Sequence, residues 1–191
     1  MPHDPSPPHR ELPADVVARV RAGDMAAFEA LFRAEHAPLC GYAFRLTDDR
    51  ALAEELVQDL FADLWSKRDA WRVEGSVRGY LFAAVRNRAL NARRRRVLEM
   101  RWAQEEAGAD TPSLHNPPAP ADAELHAAEL RAELRAALDS LPERRRAVME
   151  LRWLERLSHA EIARTLGISV KGVEIQLSRG LQSLRDYFGR R

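Results

Sequence analysis

One stretch of this sequence has the residue types and spacing to hold a polyanion. The run Arg86-Asn87-Arg88-Ala89-Leu90-Asn91-Ala92-Arg93-Arg94-Arg95-Arg96 contains six arginines and no acid. Guanidinium groups release counterions from phosphates and grip their oxygens in a planar fork. Asn87 and Asn91 stand at i and i+4, which on a helix adds two neutral amides able to reach base edges. Just upstream lies Trp71-Arg72-Val73-Glu74-Gly75-Ser76-Val77-Arg78-Gly79-Tyr80, which mixes aromatics, arginines and glycines. An unstacked nucleic-acid strand needs aromatic faces for its bases and positive charge for its backbone. The same composition also describes a core Trp and Tyr followed by a solvated basic tail.

A second candidate spans Leu157 to Arg185. Ser158-His159-Ala160-Glu161 has the capping-box spacing, Leu166-Gly167-Ile168 is a tight turn, and Ser169 is a natural cap for the helix that follows. Ile162, Leu166 and Ile168 are spaced to pack against Val173 and Leu177. This is the layout of a helix-turn-helix, whose second helix enters the DNA major groove. Its outward positions are Lys171, Gly172, Glu174, Gln176, Ser178 and Arg179, all but Gly172 bearing side chains able to address bases or phosphates. Arg144, Arg145 and Arg146 could hold a neighbouring phosphate stretch. The bland alternative is a helical hairpin with a solvated polar face.

A third feature has the opposite sign. Between Asp48 and Trp65 the polar side carries Asp48, Asp49, Glu54, Glu55, Asp59 and Asp63, with Arg50 the compensating charge in that stretch. Glu55, Asp59 and Asp63 fall at i, i+4 and i+8 and repel one another mildly. Solvent tolerates such a stripe, and a basic partner surface would reward it.

These clusters need helices to position them, and the rest of the chain supplies them. Of 191 residues, 31% are charged, the formal net charge is +1, and Ala, Leu, Arg and Glu dominate. The fold class is all-α. Asp24 is a plausible cap for a helix carrying Phe28, Leu31 and Phe32. Thr47-Asp48-Asp49 opens the acidic helix, with Leu52, Leu56, Leu60 and Leu64 inward and Val57, Phe61 and Trp65 beside them. Gly75-Ser76 breaks the pattern before a helix bearing Tyr80, Leu81, Val85 and Leu90. Further on, Leu130, Leu134, Leu138 and Leu141 make one stripe, and Ser140-Leu141-Pro142-Glu143 has a second capping-box spacing. In the last helix Val170, Val173, Leu177, Leu181, Leu184 and Phe188 share a face. Prolines mark the joints, giving a tail over 1–13, a domain over 14–96, a linker over 97–123 and a second domain over 124–188.

Catalysis is not expected. The histidines (His3, His9, His36, His115, His126 and His159) are scattered, Cys40 is the single cysteine, and no phosphate-cradling glycine loop occurs. No cofactor or metal site is indicated. The N-terminus lacks a secretion-signal pattern and no apolar run is long enough to span a membrane, so no membrane insertion and a cytoplasmic setting are expected.

Three segments, in this order, resemble the sigma-70 family, specifically the short extracytoplasmic-function (ECF, group 4) sigma factors of RNA polymerase. Ala53-Glu54-Glu55-Leu56-Val57-Gln58-Asp59-Leu60-Phe61-Ala62-Asp63-Leu64-Trp65 is similar to region 2.2. Val77-Arg78-Gly79-Tyr80-Leu81-Phe82-Ala83-Ala84-Val85-Arg86-Asn87-Arg88-Ala89-Leu90-Asn91 is similar to regions 2.3 and 2.4. Leu141-Pro142-Glu143-Arg144 through Arg185 is similar to region 4. The resemblance implies a promoter-specificity subunit that is active only with core polymerase. It implies that Glu54, Glu55, Gln58 and Asp59, with Phe61 and Trp65, dock on the β′ clamp helices. It implies that Trp71, Arg72, Gly75, Ser76, Arg78, Arg86, Asn87, Asn91, Arg93 and Arg94 hold the melted −10 element. For the −35 duplex it implies Arg144, Ser158, Ser169, Val170, Lys171, Gly172, Glu174, Gln176, Ser178 and Arg179. Contact with the β flap and an anti-sigma factor is implied too. Gly172, Glu174 and Asn91 depart from the family's usual residues. The competing reading is a helix-turn-helix regulator that binds operators without polymerase.

Overall fold

The computed structural model describes residues 15–106 and 132–189, and among them all regular structure is helical. The N-terminal half comprises α1 (Val16–Arg21), α2 (Met25–Thr47), α3 (Arg50–Ser66), a single 3₁₀ turn (Arg68–Ala70) and α4 (Val77–Glu106). The C-terminal half comprises α5 (132–139), α6 (Glu143–Trp153), α7 (His159–Leu166) and α8 (Val170–Gly189). No helix among the described residues is long and apolar enough to cross a membrane.

Caps decide where the first helices begin. Gly23 takes a positive φ of 83°, which turns the chain out of α1. The Asp24 carboxylate accepts from the Ala27 N–H at 3.0 Å to start α2. Asp48, with φ 55°, ends α2 in the left-handed conformation, and the Asp49 carboxylate accepts from the Leu52 N–H at 3.1 Å to start α3. Of the three candidates at 47–49, Asp49 is therefore the cap. Pro38 sits inside α2 and removes one backbone donor. The helix persists because Leu31, Leu39 and Tyr42 are all buried on either side of it.

The acidic helix buries the expected face: Ala53, Leu56, Val57, Leu60, Phe61 and Leu64. It meets α2 through an aromatic cluster, with ring centroids of Phe28 and Phe32 lying 6.0 and 4.9 Å from Phe61, and Phe28 4.9 Å from Trp65. The first half of α4 is buried through Leu81, Phe82, Val85 and Ala89. The helix then runs ten residues past the expected boundary at 96. The arginine run carries good helix formers, and no glycine or proline interrupts it before 106. At 1.5 Å per residue its thirty residues extend about 45 Å.

In the second half three expectations need correction. The capping box at Ser140 does not form: Pro142 occupies the cap position, so Glu143 is the first helical residue rather than the third. The Pro142 carbonyl accepts from the N–H groups of Arg145 and Arg146, while the Ser140 hydroxyl donates to the Ala137 carbonyl at 2.7 Å. The leucine stripe is displaced, since Ala137 and Leu141 are buried and Leu134 is 42% exposed; Leu130 and the onset at 124 lie outside the described residues. On α8 the inward arc is Val173, Leu177 and Gly180, while Val170, Leu181 and Phe188 are exposed. Gly180 is where α8 crosses α6: a β-carbon there would lie 2.4 Å from the Met149 sulfur.

The two halves share one core. Helix α7 lies against the start of α4, and Leu157, Ile162 and Thr165 are buried with it. Gly79 is the point of closest approach, where a β-carbon would stand 3.3 Å from the α-carbon of Glu161.

Candidate nucleic-acid interface and acidic docking face

The outer face of α3 presents Glu54, Glu55, Gln58 and Asp59 to solvent, as expected. Its charge is less bare than the sequence suggests. Arg50 reaches Glu54 at 3.4 Å, Arg96 of α4 reaches Asp49 at 3.3 Å, and Asp63 is held by Arg88 at 2.6 Å and Lys67 at 3.0 Å. Those bonds, led by the one from Arg88, hold the Asp63 carboxyl below its ordinary range. Among the described residues Glu55 and Asp59 have no ion pair, and they stand one helical turn apart. Phe61 is a correction: at 2% exposure it belongs to the core and acts by fixing α3 on α2. Trp65 is half-buried, with the Arg68 guanidinium 4.7 Å over its ring.

The loop before α4 is built by Trp71, which is 5% exposed and lies 6.1 Å from the Tyr80 ring. A base cannot stack on a ring enclosed in this way, so Trp71 shapes the loop from beneath. Beside it a cavity of about 390 Å³ is lined by Leu60, Asp63, Trp71, Arg72, Tyr80 and Arg88 among others. Arg72 is exposed and donates to the carbonyls of Asp69 and Trp71 at 2.9 and 3.1 Å, which fixes the loop's turn. Gly75 has a φ of 81°, a conformation that side chains rarely adopt. Ser76 caps α4, its hydroxyl oxygen accepting from the Gly79 N–H at 3.3 Å.

The arginines divide into two sets. Arg78 is committed inward, bonded at 3.0 Å to Glu35. Arg86 is partly buried, near Tyr42. Asn87, Asn91 and Arg94 are exposed along one flank of α4, and Arg93 is exposed on another side of the helix. The sequence reading missed Glu35. It is a carboxylate at 5% exposure, and desolvation raises its pKa against the pull of Arg78. Its signal was legible: Leu31, Glu35 and Leu39 repeat at i+4 on the inward stripe of α2, so an acid there requires a partner.

In the helix-turn-helix the caps form as expected. The Ser158 hydroxyl oxygen accepts from the Glu161 N–H at 3.3 Å, and Glu161 accepts from the Ser158 N–H at 2.7 Å. Gly167 turns at φ 64°, and the Ser169 hydroxyl oxygen accepts from the Gly172 N–H at 3.0 Å. The Ser158 hydroxyl is thereby engaged as the cap of α7. Val170, Lys171, Ser178 and Arg179 are exposed, while Gly172, Glu174 and Gln176 are half-buried. Lys171 neutralises Glu174 at 3.1 Å, which softens the acid's effect at that surface. Arg145 donates to Ser183 at 3.0 Å and Arg146 pairs with Asp139 at 3.2 Å, leaving Arg144 facing a hollow of about 290 Å³ with Gly167, Ser169, Gly172 and Gln176.

Residues 31–98 match the sigma-70 region 2 family and residues 131–184 match sigma-70 region 4. The chain is 30% identical over 88% of its length to the ECF RNA polymerase sigma factor SigL of Mycobacterium tuberculosis, covering 93% of that protein. The chain belongs to the ECF sigma-70 family. It is also 33% identical to the ECF sigma factor SigE of Mycolicibacterium smegmatis, of whose length it spans 65%, and 33% identical to the sigma factor CarQ of Myxococcus xanthus, of which it spans 94%. The fold of this sigma factor matches that of CnrH in complex with the cytosolic domain of CnrY, with a TM-score of 0.65 and 22% identity over 94% of this chain and 99% of that one. It also matches RpoE of Bartonella quintana in complex with the anti-sigma factor NepR, with a TM-score of 0.61 and 23% identity over 85% of this chain and 96% of that one.

Proposed function

We propose that this sigma factor binds core RNA polymerase through α3, holds the melted −10 element with the loop before α4 and the exposed flank of α4, and reads the −35 duplex with α8. The observation that carries the reading is the segregation of charge. Glu55 and Asp59 are exposed acids without ion pairs among the described residues, on a helix matched to region 2. The basic and amide groups lie on two other helices. Docking on a basic polymerase surface gives the acids their partner.

For the −10 strand the proposed contacts are Arg72, Gly75, Ser76, Asn87, Asn91, Arg93 and Arg94. For the −35 duplex they are Arg144, Ser169, Val170, Lys171, Gln176, Ser178 and Arg179, with phosphate held where Arg144 and the start of α8 face one hollow. An anti-sigma factor is proposed as a further partner, since RpoE of Bartonella quintana, which shares this fold, is found in complex with the anti-sigma factor NepR. A helix-turn-helix regulator acting alone leaves the acidic face of α3 without a role.

Capture of core polymerase at low salt, followed by transcription from a cognate promoter, tests the reading. Capture together with promoter-dependent transcripts is the expected result. Absence of capture by the intact chain would overturn it.

A further inference from the structure

Helix α8 packs on α6 and α7 through a narrow arc, Val173, Leu177 and Gly180. Lys171, Ile175, Ser178 and Arg179 stand at i, i+4, i+7 and i+8, and all four are exposed on the side away from that arc. At about 100° per residue Ile175 lies roughly 165° from the middle of the buried arc, so it points almost squarely away from the core. It is 40% exposed, an aliphatic side chain in the middle of a polar stripe. The sequence pattern assigned the outward face to its polar residues and passed over Ile175. In the structure Glu174 and Gln176 are the half-buried flanks of that face.

What covers Ile175 follows from its surroundings. It lines a hollow of about 290 Å³ together with Ile168, Arg144, Ser169, Gly172 and Gln176. Gly172, one turn earlier, adds no side chain between the isoleucine and that hollow. Lys171 and Arg179 lie to either side along the stripe, Lys171 spending one donor on Glu174 at 3.1 Å, and Arg144 faces the same hollow. Positive charge on these sides fits a polyanion. The major groove of a duplex offers hydrogen-bonding edges from every base pair and one apolar group, the C5-methyl of thymine. An isoleucine set against a polar edge strips it of water and returns no hydrogen bond. Set against the methyl, it removes apolar surface from water on both sides.

We propose that Ile175 is a specificity-determining residue of the −35 contact, packing on the C5-methyl group of a thymine in the major groove. This role rests on the reading of α8 as the −35 helix and adds to it the base selected at mid-helix. Arg144 and the start of α8 hold phosphate and set the register. Ile175 then selects twice over, by attraction to the methyl and by leaving the polar edges of other bases unpaired.

Uracil tests this directly, because it differs from thymine by that methyl group alone. Holoenzyme assembled from core polymerase and the full chain selects from duplexes randomised over both promoter elements. The selected sequence is remade with uracil in place of each −35 thymine in turn, and dissociation constants are read by fluorescence anisotropy. At one thymine the change to uracil is expected to weaken binding roughly threefold to fivefold, the worth of one methyl group taken from water. Ile175→Ala is expected to bind the thymine and uracil duplexes equally, with its helix content by circular dichroism unchanged, and Ile175→Val to keep the preference. Enrichment without a −35 thymine, no loss at any thymine, or a loss that persists in Ile175→Ala would overturn the proposal and leave the proposed function standing. Failure of the holoenzyme to form, or to enrich any sequence, removes both.

Discussion

At the residue scale, exposure separates side chains that hold the molecule together from those free to meet a partner. Glu55 and Asp59 lie on the wet face of α3 without an ion pair among the described residues, so reversing their charge disturbs little inside the protein. Glu55→Lys/Asp59→Lys is expected to leave stability within about 0.5 kcal/mol of wild type, as exposed substitutions do. Its capture of core polymerase should fall at least tenfold, checked by thermal melting beside a pull-down. Phe61, two residues from Asp59 and on the opposite side of the helix, should behave in the reverse way. Phe61→Ala empties a site enclosed by Phe28 and Phe32 and is expected to cost about 3–5 kcal/mol in urea unfolding. Arg93 and Arg94 are exposed and add charge without packing. Their double replacement by Ala should flatten the salt dependence of single-strand binding by about 1.4 in log–log slope, at roughly 0.7 per phosphate contact.

At the element scale, what was legible in the sequence depended on whether a helix is fixed by its own neighbours or by distant ones. The caps at Asp24, Ser158 and Ser169, the inward face of α3 and the Gly167 turn follow from local chemistry, and the structure has each of them. The capping spacing at Ser140 was misleading because Pro142 can itself serve as the cap, shifting the frame by two residues. The inner ends of α4 and α8 are buried while their outer stretches are wet, so a single apolar stripe could not describe either. Gly180 was invisible for the same reason: its role is set by Met149, thirty-one residues away on α6. Gly180→Ala should destabilise the C-terminal half by about 1–3 kcal/mol through overpacking, despite alanine's better helix propensity. Guanidinium unfolding followed by tryptophan fluorescence would register it, and an unchanged midpoint would show that Met149 swings aside without cost.

At the scale of the whole molecule, the sequence marked the charged clusters, while only the fold shows which of them face each other. Six arginines within eleven residues look like one DNA-binding unit, yet Arg88 and Arg96 are tied to α3, while Arg78, also assigned to DNA, is tied to Glu35. The carboxylates gathered at the seam have a titration consequence. Desolvation raises the pKa of both Glu35 and Glu150; Glu161 and Glu155 across the seam add to the first against Arg78, and Asp139 and Glu155 of its own half add to the second against Arg45 and Arg146. An acid whose pKa is raised on folding contributes stability that is present below its ordinary value near 4.5 and is lost as pH climbs through the raised value. Asp24 and Asp63, whose bonds lower their pKa, contribute in the opposite sense, and that contribution is lost as pH falls through the lowered values. Glu35→Gln holds the protonated form's charge at every pH and keeps an oxygen for Arg78. The melting temperature of Glu35→Gln minus that of wild type should therefore be more positive at pH 7 than at pH 4. A difference of the opposite sign would mean that the attraction of Arg78 outweighs burial, and that Glu35 holds the start of α4 as an ion pair in net gain.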